Sequence, residues 1–455
     1  MEEKTLSILK LWVVLLSLVS GFYACQPKDQ PNFSEHVAPI IFKNCSPCHQ
    51  PGGAAPFSLL NYEQTTKKAK MIAFVTASGY MPPWPADKTY SHFINERGLT
   101  DDEKNILKTW YENQCPPGDT LGLKVPDWVF AKSVLGKPDM IISAQHIQIL
   151  NDNKDKFYLL KIPYQIPKDR FVKSVEFVPS QVKYVHHVNG HYLSFNDNTN
   201  PMDGSRLMDI ESPNYENEFA KMSMLNADGS LPYRVHSAFN YLPGAFGVKY
   251  PNGIGGFLMT KNGAFVANDI HFGPSSKACT DSSKLYIYFA DKAPERPTYE
   301  IMLGTNGVSE IVPPLQVPAG KITKHVTQVT IYNDISVLTV NPHMHLIGSK
   351  FKAYALKPNG DTVNLIHIPK WQFRWQYFYT FTHPVRIPKG STIVVEAEFN
   401  NTASNPDNPF SPPKHIGERL DTGGASMRTT DEMLQFIITY MPYRKGDELI
   451  DLSKE

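Results

Sequence analysis

The stretch "NPHMHLIGSKF", Asn341 to Phe351, indicates both the fold of the chain and what it can bind. It reads as a β-strand, and strand side chains alternate between two faces with a period of two residues. His343 and His345 therefore project from the same face. Two imidazoles side by side predict either packing or a metal site, and a metal would require at least one further ligand.

Composition limits the class of protein. The chain has 455 residues, which predicts two to four domains. With 37 Pro, 28 Gly and 12% aromatic residues, it favours turn-rich β architecture. The formal net charge is +1, so there is no electrostatic case for a nucleic-acid partner.

Residues 1–25 predict an export signal. The apolar run "LWVVLLSLV", 11–19, is too short to span a bilayer and has the length of a signal-peptide core. "FYAC" ends at Cys25, which resembles the lipidation site of bacterial lipoproteins. The alternative is cleavage near Ala24. We expect a protein exported to the bacterial periplasm or outer surface, whose contact with the membrane is a lipid anchor at Cys25.

The predicted secondary structure of the rest of the chain changes once, from helical to β. Helical spacing dominates the first part, where Thr100 predicts an N-cap with Glu103 three positions on. Short alternating runs separated by turns follow and predict antiparallel β structure. The fold class predicted is a small all-α domain followed by two antiparallel, jelly-roll-like β-sandwich subdomains. The predicted boundaries are 33–119 for the helical domain, 120–137 for a linker, and 138–300 and 301–455 for the sandwiches.

"NCSPCHQPGG" contains Cys45, Cys48 and His49 in a C-x-x-C-H arrangement. Two thiols at this spacing can add to the two vinyl groups of a heme, and the histidine that follows can ligate the iron. The motif predicts one covalent c-type heme. A zinc knuckle and a redox-active dithiol are the alternatives.

The second axial ligand of that heme is expected from a loop after the next helix. Met81 in "GYMPPWP" occupies such a loop, whereas Met71 falls at core spacing on the preceding helix. His/Met ligation raises the reduction potential and suits electron transfer. Residues 33–119 resemble a small class I cytochrome c.

Met433, in "TTDEMLQF", could complete a set with His343 and His345. Two imidazoles and a thioether suit copper better than zinc, although core packing is the ordinary role of a single methionine.

A second histidine set lies upstream. It comprises His186 and His187 in "VHHVNGHYLSF" and His271 in "ANDIHFG". Adjacent strand residues face opposite ways, so this pair could reach one metal only through backbone distortion or unusual use of the ring nitrogens. His191 and His236 could compete for the third position.

From about residue 138 to 443 the chain resembles the copper type II, ascorbate-dependent monooxygenases, the family of peptidylglycine α-hydroxylating monooxygenase and dopamine β-monooxygenase. The similarity rests on the His-His pair, the "HFG" histidine, the H-x-H and the "TTDEM" methionine, in the family's order.

The resemblance implies two β-sandwiches facing each other across a solvent-filled cleft. It also implies two coppers, one for electron transfer and one where oxygen reacts. His186, His187 and His271 would bind the first copper. His343, His345 and Met433 would bind the second and would be the catalytic residues.

The sequence departs from the peptide-hydroxylating branch at its carboxylate-binding positions. Asn341, Gln435 and Ile437 stand where that branch has arginine, asparagine and tyrosine. A peptidyl-glycine carboxylate would lose its charge-assisted partner, so this substrate is not expected. The family's disulfides are also missing, although Cys115 and Cys279 could pair.

Two functions remain after this reasoning. The first is a copper monooxygenase that hydroxylates a C–H bond of a small organic substrate with O2. Its electrons would come through the heme, from an ascorbate-like reductant or a redox protein. The second is a non-catalytic exported heme and copper protein, either an electron carrier or a copper-binding lipoprotein.

Overall fold

The chain is described by a computed structural model that covers residues 30–94, 96–130, 133, 135–243, 249–421, 424–425 and 428–454. The predicted export signal and Cys25 lie outside the described residues. No helix in the described part is long and apolar enough to cross a membrane.

The N-terminal part is helical, as its spacing predicts. It contains a π-helical turn at Phe33–Val37, α1 Ala38–Asn44, α2 Tyr62–Thr66, α3 Ala69–Ala77, α4 Asp101–Glu112 and a 3₁₀ turn at Asp127–Phe130. Helix α4 begins with the expected capping box, in which Thr100 Oγ1 accepts from Glu103 N at 3.1 Å and Glu103 Oε2 accepts from Thr100 N at 2.8 Å. Phe33, Leu107 and Trp110 are buried together in its core. The resemblance to cytochrome c remains a prediction.

The first β unit is built from two sheets around one core. Its elements are β1 Met140–Ser143, β2 Ile147–Ile149, β3 Lys156–Gln165, β4 Arg170–Val178, β5 Val185–Ser194, β6 Leu207–Asp209, α5 Tyr215–Lys221, β7 Tyr233–Tyr241, β8 Phe257–Met259, β9 Asn262–Phe272, β10 Cys279–Asp281 and β11 Lys284–Ala290. The sheet orders are β6-β3-β9-β5-β7 and β1-β11-β4-β8. Apolar side chains from both sheets form one buried cluster, as in a sandwich.

The second β unit repeats this plan. Its strands are β12 Tyr299–Gly304, β13 Ile311–Val312, β14 Gln316–Val317, β15 Ile322–Thr330, β16 Ile335–Met344, β17 Gly348–Leu356, β18 Thr362–Ile368, β19 Tyr379–Ile387, β20 Thr392–Asn400, β21 Ile416–Gly417, β22 Leu420–Asp421, β23 Gly424–Ala425 and β24 Leu434–Pro442, before a 3₁₀ turn at Asp447–Leu449. The main sheets run β12-β24-β16-β19 and β13-β15-β20-β17-β18. The predominance of antiparallel β structure confirms the predicted sandwich class.

Residues 83–94, called here the docking segment, join the helical part to the C-terminal sandwich. Asp87 N donates to His367 O at 2.8 Å, and Ile94 N donates to Thr380 O at 2.8 Å. Phe93 is buried in the hydrophobic core of the C-terminal sandwich. The two parts therefore share a core as well as a chain connection.

The predicted linker is attached at both ends. Val129 is buried in the helical core, and its carbonyl accepts from Gln50 Nε2 at 2.9 Å. Ser133 and Tyr288 hydroxyls lie 2.8 Å apart, which ties the following residues to β11. The domain boundaries proposed from sequence remain predictions.

A buried ion pair closes the C-terminal sandwich. The Asp447 carboxylate accepts from Arg296 Nη1 at 2.7 Å and Nη2 at 2.8 Å, and from the Ser336 hydroxyl at 2.7 Å. Burial raises the pKa of Asp447, but these hydrogen bonds outweigh it and lower the pKa from 3.8 to about 2.

Replacing Asp447 by Ala should destabilise this sandwich by about 3 kcal/mol, because the half-buried Arg296 guanidinium is left unpaired. The wild-type contribution should be full above pH 3.8 and should be lost as the pH falls towards about 2, since the folded pKa lies below the ordinary one. Urea unfolding at neutral and acid pH measures both effects. Asp407→Ala, at an exposed position, is the control, and equal destabilisation by the two substitutions would contradict the assignment.

Candidate metal centres

Strand pairing brings the C-terminal ligand candidates together. In the antiparallel pairing of β16 with β24, His343 lies opposite Gln435 and Met344 lies opposite Leu434. The next step in the same register sets His345 opposite Met433. Opposed residues in a ladder point to the same face, so both histidines and the methionine share one face. The two imidazole centroids are 5.1 Å apart.

Hydrogen bonds to Nδ1 orient both rings. His343 Nδ1 pairs with Gln376 Oε1, and His345 Nδ1 donates to Asp431 O at 3.0 Å. Each ring is thereby left with Nε2 for a metal, and in the described part of the chain the buried Nε2 of His343 has no partner. Burial lowers the pKa of His343 and lowers that of His345 to about 3, which keeps the imidazoles in the neutral, metal-binding form.

Glu432 fastens the two ligand-bearing segments to each other. Its buried carboxylate accepts from the backbone N–H groups of His345 at 3.0 Å, Ile347 at 2.8 Å and Met433 at 3.3 Å. Burial raises the pKa of Glu432 to about 8 in spite of these bonds. Sequence reasoning missed this residue and Gln376. The acidic pair immediately before Met433 was the available signal for Glu432.

The upstream histidines also meet. His187 on β5 lies opposite His271 on β9, and the ladder shifts register on both sides of His187. The ring centroids of His186 and His187 lie 4.9 and 5.1 Å from that of His271. The irregular pairing is the backbone distortion that two adjacent histidines require in order to approach one point.

Carboxylates orient the upstream rings. His271 Nε2 lies 2.7 Å from Asp155 Oδ1, and His187 Nε2 lies 3.5 Å from Asp269 Oδ2. The opposite nitrogen, Nδ1, is buried in both rings and lacks a partner among the residues described. Burial lowers the pKa of His271 to about 4. The pKa of His186 falls to about 3, again chiefly because of burial.

The two histidine sets fit a metal to different degrees. Across the described ranges, no three His, Cys, Asp or Glu side chains form a ready-made cage for an ion. The C-terminal set has two imidazoles and a thioether, and the upstream set has three imidazoles, with His186 stacked on His271 and His187 edge-on to it. Buried, unpaired ring nitrogens in both sets nevertheless match the donor chemistry of copper.

The competing histidines lie elsewhere. His191 Nδ1 pairs with His236 O, and their ring centroids are 5.4 Å apart. Both side chains line a cavity of about 220 Å³. His271, by contrast, has its ring beside those of His186 and His187, which favours His271 as the third member of the upstream set.

That cavity lies between the two sandwiches, with His343 in its wall. Asn341 Nδ2 donates to Tyr377 O at 3.2 Å, and Gln435 Nε2 donates to Thr305 O at 2.8 Å, so one hydrogen bond fixes the orientation of each amide. Ile437 adds apolar surface to the same wall. The remaining lining comprises Asn189, His191, Arg234, His236, Ser237, Asn268, Asp269, Met302, Asn306 and Phe378.

The C-x-x-C-H residues follow α1 directly. His49 N donates to Cys45 O at 2.9 Å, which continues the helix by one turn. His49 Nδ1 pairs with Phe57 O at 3.0 Å, and the two rings are 4.6 Å apart. This contact leaves Nε2 of His49 for an axial bond, as a heme ligand requires.

The two thiols do not resemble a redox-active pair. Burial, with the neighbouring Cys48, raises the pKa of Cys45 to about 12. Burial also raises the pKa of Cys48, against the lowering effect of the positive charge on Arg97. A reactive dithiol needs a lowered thiol pKa, so this chemistry disfavours that alternative.

The methionine candidates occupy distinct positions. Met81 follows α3 and is half-buried, and its N–H donates to Val75 O at 3.1 Å. Met71 lies on α3 with 49% of its surface exposed, so core packing is not its role. Cys115 and Cys279 are free thiols, and the possible bridge between them is not formed.

Residues 298–409 match the family model described as copper type II ascorbate-dependent monooxygenase, C-terminal domain, over about a quarter of the chain. This range includes His343 and His345 and ends before Met433. The match indicates an oxidoreductase of the monooxygenase type and supports copper as its metal. Among curated proteins, none matches the chain.

Two solved structures of infectious bursal disease virus have low similarity to this chain. The Gt-strain structure is 9% identical, covering 69% of this chain and 83% of its own, with a TM-score of 0.14. The Gx-strain structure is 9% identical, covering 66% and 78%, with a TM-score of 0.15. Nothing about this chain follows from TM-scores this low.

Two coppers should bind independently. His343→Ala should remove or weaken one equivalent and leave the other near normal, while His187→Ala should do the reverse, because the two sets lie on different sandwiches. Metal analysis after dialysis measures the equivalents. His383→Ala, at an exposed strand position, should retain both. Joint loss of both coppers without unfolding, or loss of neither, would refute the two-site assignment.

The heme should be covalent and ligated by His49 and Met81. Acid–acetone extraction should leave it on the protein, and Met81→Ala should abolish the low-spin His/Met spectrum. Met71→Ala is the matched control and should leave the spectrum unchanged. Heme in the organic layer, or an unaltered Met81→Ala spectrum, would overturn the respective assignment.

Proposed function

We propose that the chain is a copper-dependent monooxygenase that hydroxylates a C–H bond of a small organic substrate with O2, using electrons relayed through a covalent c-type heme. The observation that carries the proposal is the buried, unpaired Nε2 of His343, a residue that also lines the cavity between the two sandwiches. An unsatisfied buried nitrogen is costly unless a ligand completes it.

The protein's own groups would prepare the C-terminal centre. Gln376 and the Asp431 carbonyl fix the rings of His343 and His345, and Glu432 fixes the backbone that presents Met433. Copper held there would supply the redox chemistry that activates oxygen. Burial of both imidazoles keeps them neutral and excludes bulk water from the nitrogens that bind.

The helical part would serve electron supply. His49, with Nδ1 engaged by Phe57, would ligate the heme on one side and Met81 would ligate it on the other. A fully ligated iron transfers electrons singly and has no free position for oxygen. Such a group suits a reaction that consumes two electrons, one at a time.

The cavity favours an enzyme over a non-catalytic copper or heme carrier. A protein that only stores copper has no need of an enclosed space beside its ligands, whereas a substrate does. The cavity of about 220 Å³ suits a small molecule. Asn341 and Gln435 are neutral, so these positions would give a terminal glycine carboxylate no charge-assisted hydrogen bond.

Export and anchoring complete the proposal. The short apolar leader supports secretion to the bacterial periplasm or outer surface, with lipid at Cys25. There the electron donor would be an ascorbate-like reductant or a redox protein.

Oxygen uptake that depends on an organic substrate tests the function. Protein matured with heme and copper is screened against a metabolite mixture, with oxygen consumption and product mass as the measurements. A product heavier by one oxygen atom is expected, and its formation should be lost in His343→Ala but retained in His383→Ala. The absence of both substrate-dependent oxygen uptake and any hydroxylated product would favour the carrier alternative.

A further inference from the structure

Five residues between β18 and β19, Phe373 to Tyr377, contact both the heme-bearing part and the histidine sets; they are called here the connector. Gln376 Nε2 donates to Phe373 O at 2.9 Å, which holds the connector's own turn. Tyr377 is 4% exposed and belongs to the core of the C-terminal sandwich. Core packing is the ordinary role of aromatic residues in a β-sandwich, but core packing alone does not explain the contacts at the two ends of the connector.

One end of the connector faces the candidate heme ligands. The Tyr377 hydroxyl donates to Pro83 O at 3.1 Å, two residues after Met81, and its ring centroid is 5.4 Å from that of Trp84. The Arg97 guanidinium lies 5.6 Å from the Tyr377 ring centroid, and its positive charge lowers the pKa of Cys48. Tyr377 thus contacts the segment that presents Met81 and packs beside an arginine whose charge acts on Cys48.

The other end faces the C-terminal histidines. Gln376, the next residue along the backbone, accepts through Oε1 from Nδ1 of His343. A continuous series of bonded and hydrogen-bonded atoms therefore runs from Met81 through Pro83, Tyr377 and Gln376 to His343. Electron tunnelling is faster along bonded and hydrogen-bonded atoms than across gaps.

We propose that the heme electron reaches the His343, His345 and Met433 centre directly through the connector. Tyr377 would couple the heme side to the connector, and Gln376 would couple the connector to His343. This inference rests on the proposed function, which supplies both redox groups. One electron leaves ferrous heme iron, which becomes ferric, and reduces cupric copper to cuprous. No bond breaks and no proton moves.

In this proposal the neutral tyrosine provides the bonded atoms between the two redox groups. Burial, with the nearby Cys48, raises the pKa of Tyr377 to about 12 against the opposing effect of Arg97, so the phenol stays neutral. The ring and the hydroxyl of Tyr377 make separate contacts with the heme side, because the ring packs on Trp84 and the hydroxyl donates to Pro83 O. The two contributions can be separated by substitution.

The experiment follows one electron in holoprotein without oxygen or substrate. Heme is reduced by a light pulse in protein loaded with two cupric ions, and heme absorbance reports its reoxidation. Tyr377→Leu should slow reoxidation several-fold or more, and Tyr377→Phe, which retains the ring, should slow it less. Tyr90→Leu is the matched control, since Tyr90 belongs to the docking segment but contacts Ala353 and His367 instead, and it should react at the wild-type rate.

Further measurements show whether a slower variant has lost the electron-transfer pathway or has an altered heme or metal site. Each variant should retain the wild-type heme midpoint potential and metal content. Freeze-quench electron paramagnetic resonance should show that the first cupric signal to disappear is the one that His343→Ala lacks.

The outcomes distinguish the two proposals. Equal reoxidation rates in wild type, Tyr377→Phe and Tyr377→Leu, or earlier loss of the other cupric signal, would overturn the connector while leaving the relay intact. If wild-type heme is not oxidised by copper at all, the proposed relay fails, and the connector fails with it.

Discussion

The antiparallel pairing of β16 with β24 is the constraint on which the rest of the site depends. It determines that His343, His345 and Met433 emerge on one face, and a slip of one residue would turn one of the two segments to the opposite side. The same pairing sets Asn341 and His343 into the cavity wall. Glu432 bridges the two strand ends, so the register is held by two hydrogen bonds beyond the ladder, from the N–H groups of His345 and Ile347.

Burial lowers the pKa of both His343 and His345. Imidazoles removed from water bind a proton less tightly, so a nitrogen lone pair stays available for a metal. The hydrogen bond made by one ring nitrogen decides which nitrogen that is. In the C-terminal set these contacts engage Nδ1, whereas in the upstream set carboxylates lie against Nε2. The two sets therefore present opposite ring nitrogens. That difference is a physical basis for two centres with unlike properties in one chain.

Sequence reasoning recovered what short-range geometry controls. The common face of His343 and His345 follows from the strand period, and the α4 cap follows from Thr100 and Glu103. Met433 could be suggested as their partner from its thioether and from family resemblance, but no local pattern predicts the contact, because about ninety residues separate the two segments. Gln376 and Asp269 carry no local signal, since their roles arise from contacts between distant segments. The docking segment was missed for the same reason: Phe93 reads as an ordinary loop residue until Phe381 is opposite it.

The docking segment makes the helical part and the C-terminal sandwich depend on each other for a complete core. Ala86 and Phe93 sit in the core of the C-terminal sandwich, and burial of a side chain such as Phe93 contributes about 2–3 kcal/mol. A fragment starting after the helical part would expose the apolar surface that these residues cover. Such a fragment should be prone to aggregation, and proteolysis between the parts should not release two independent bodies. The fusion is therefore more than a tether, and a later loss of the helical part in evolution would have required new side chains to fill the vacated space.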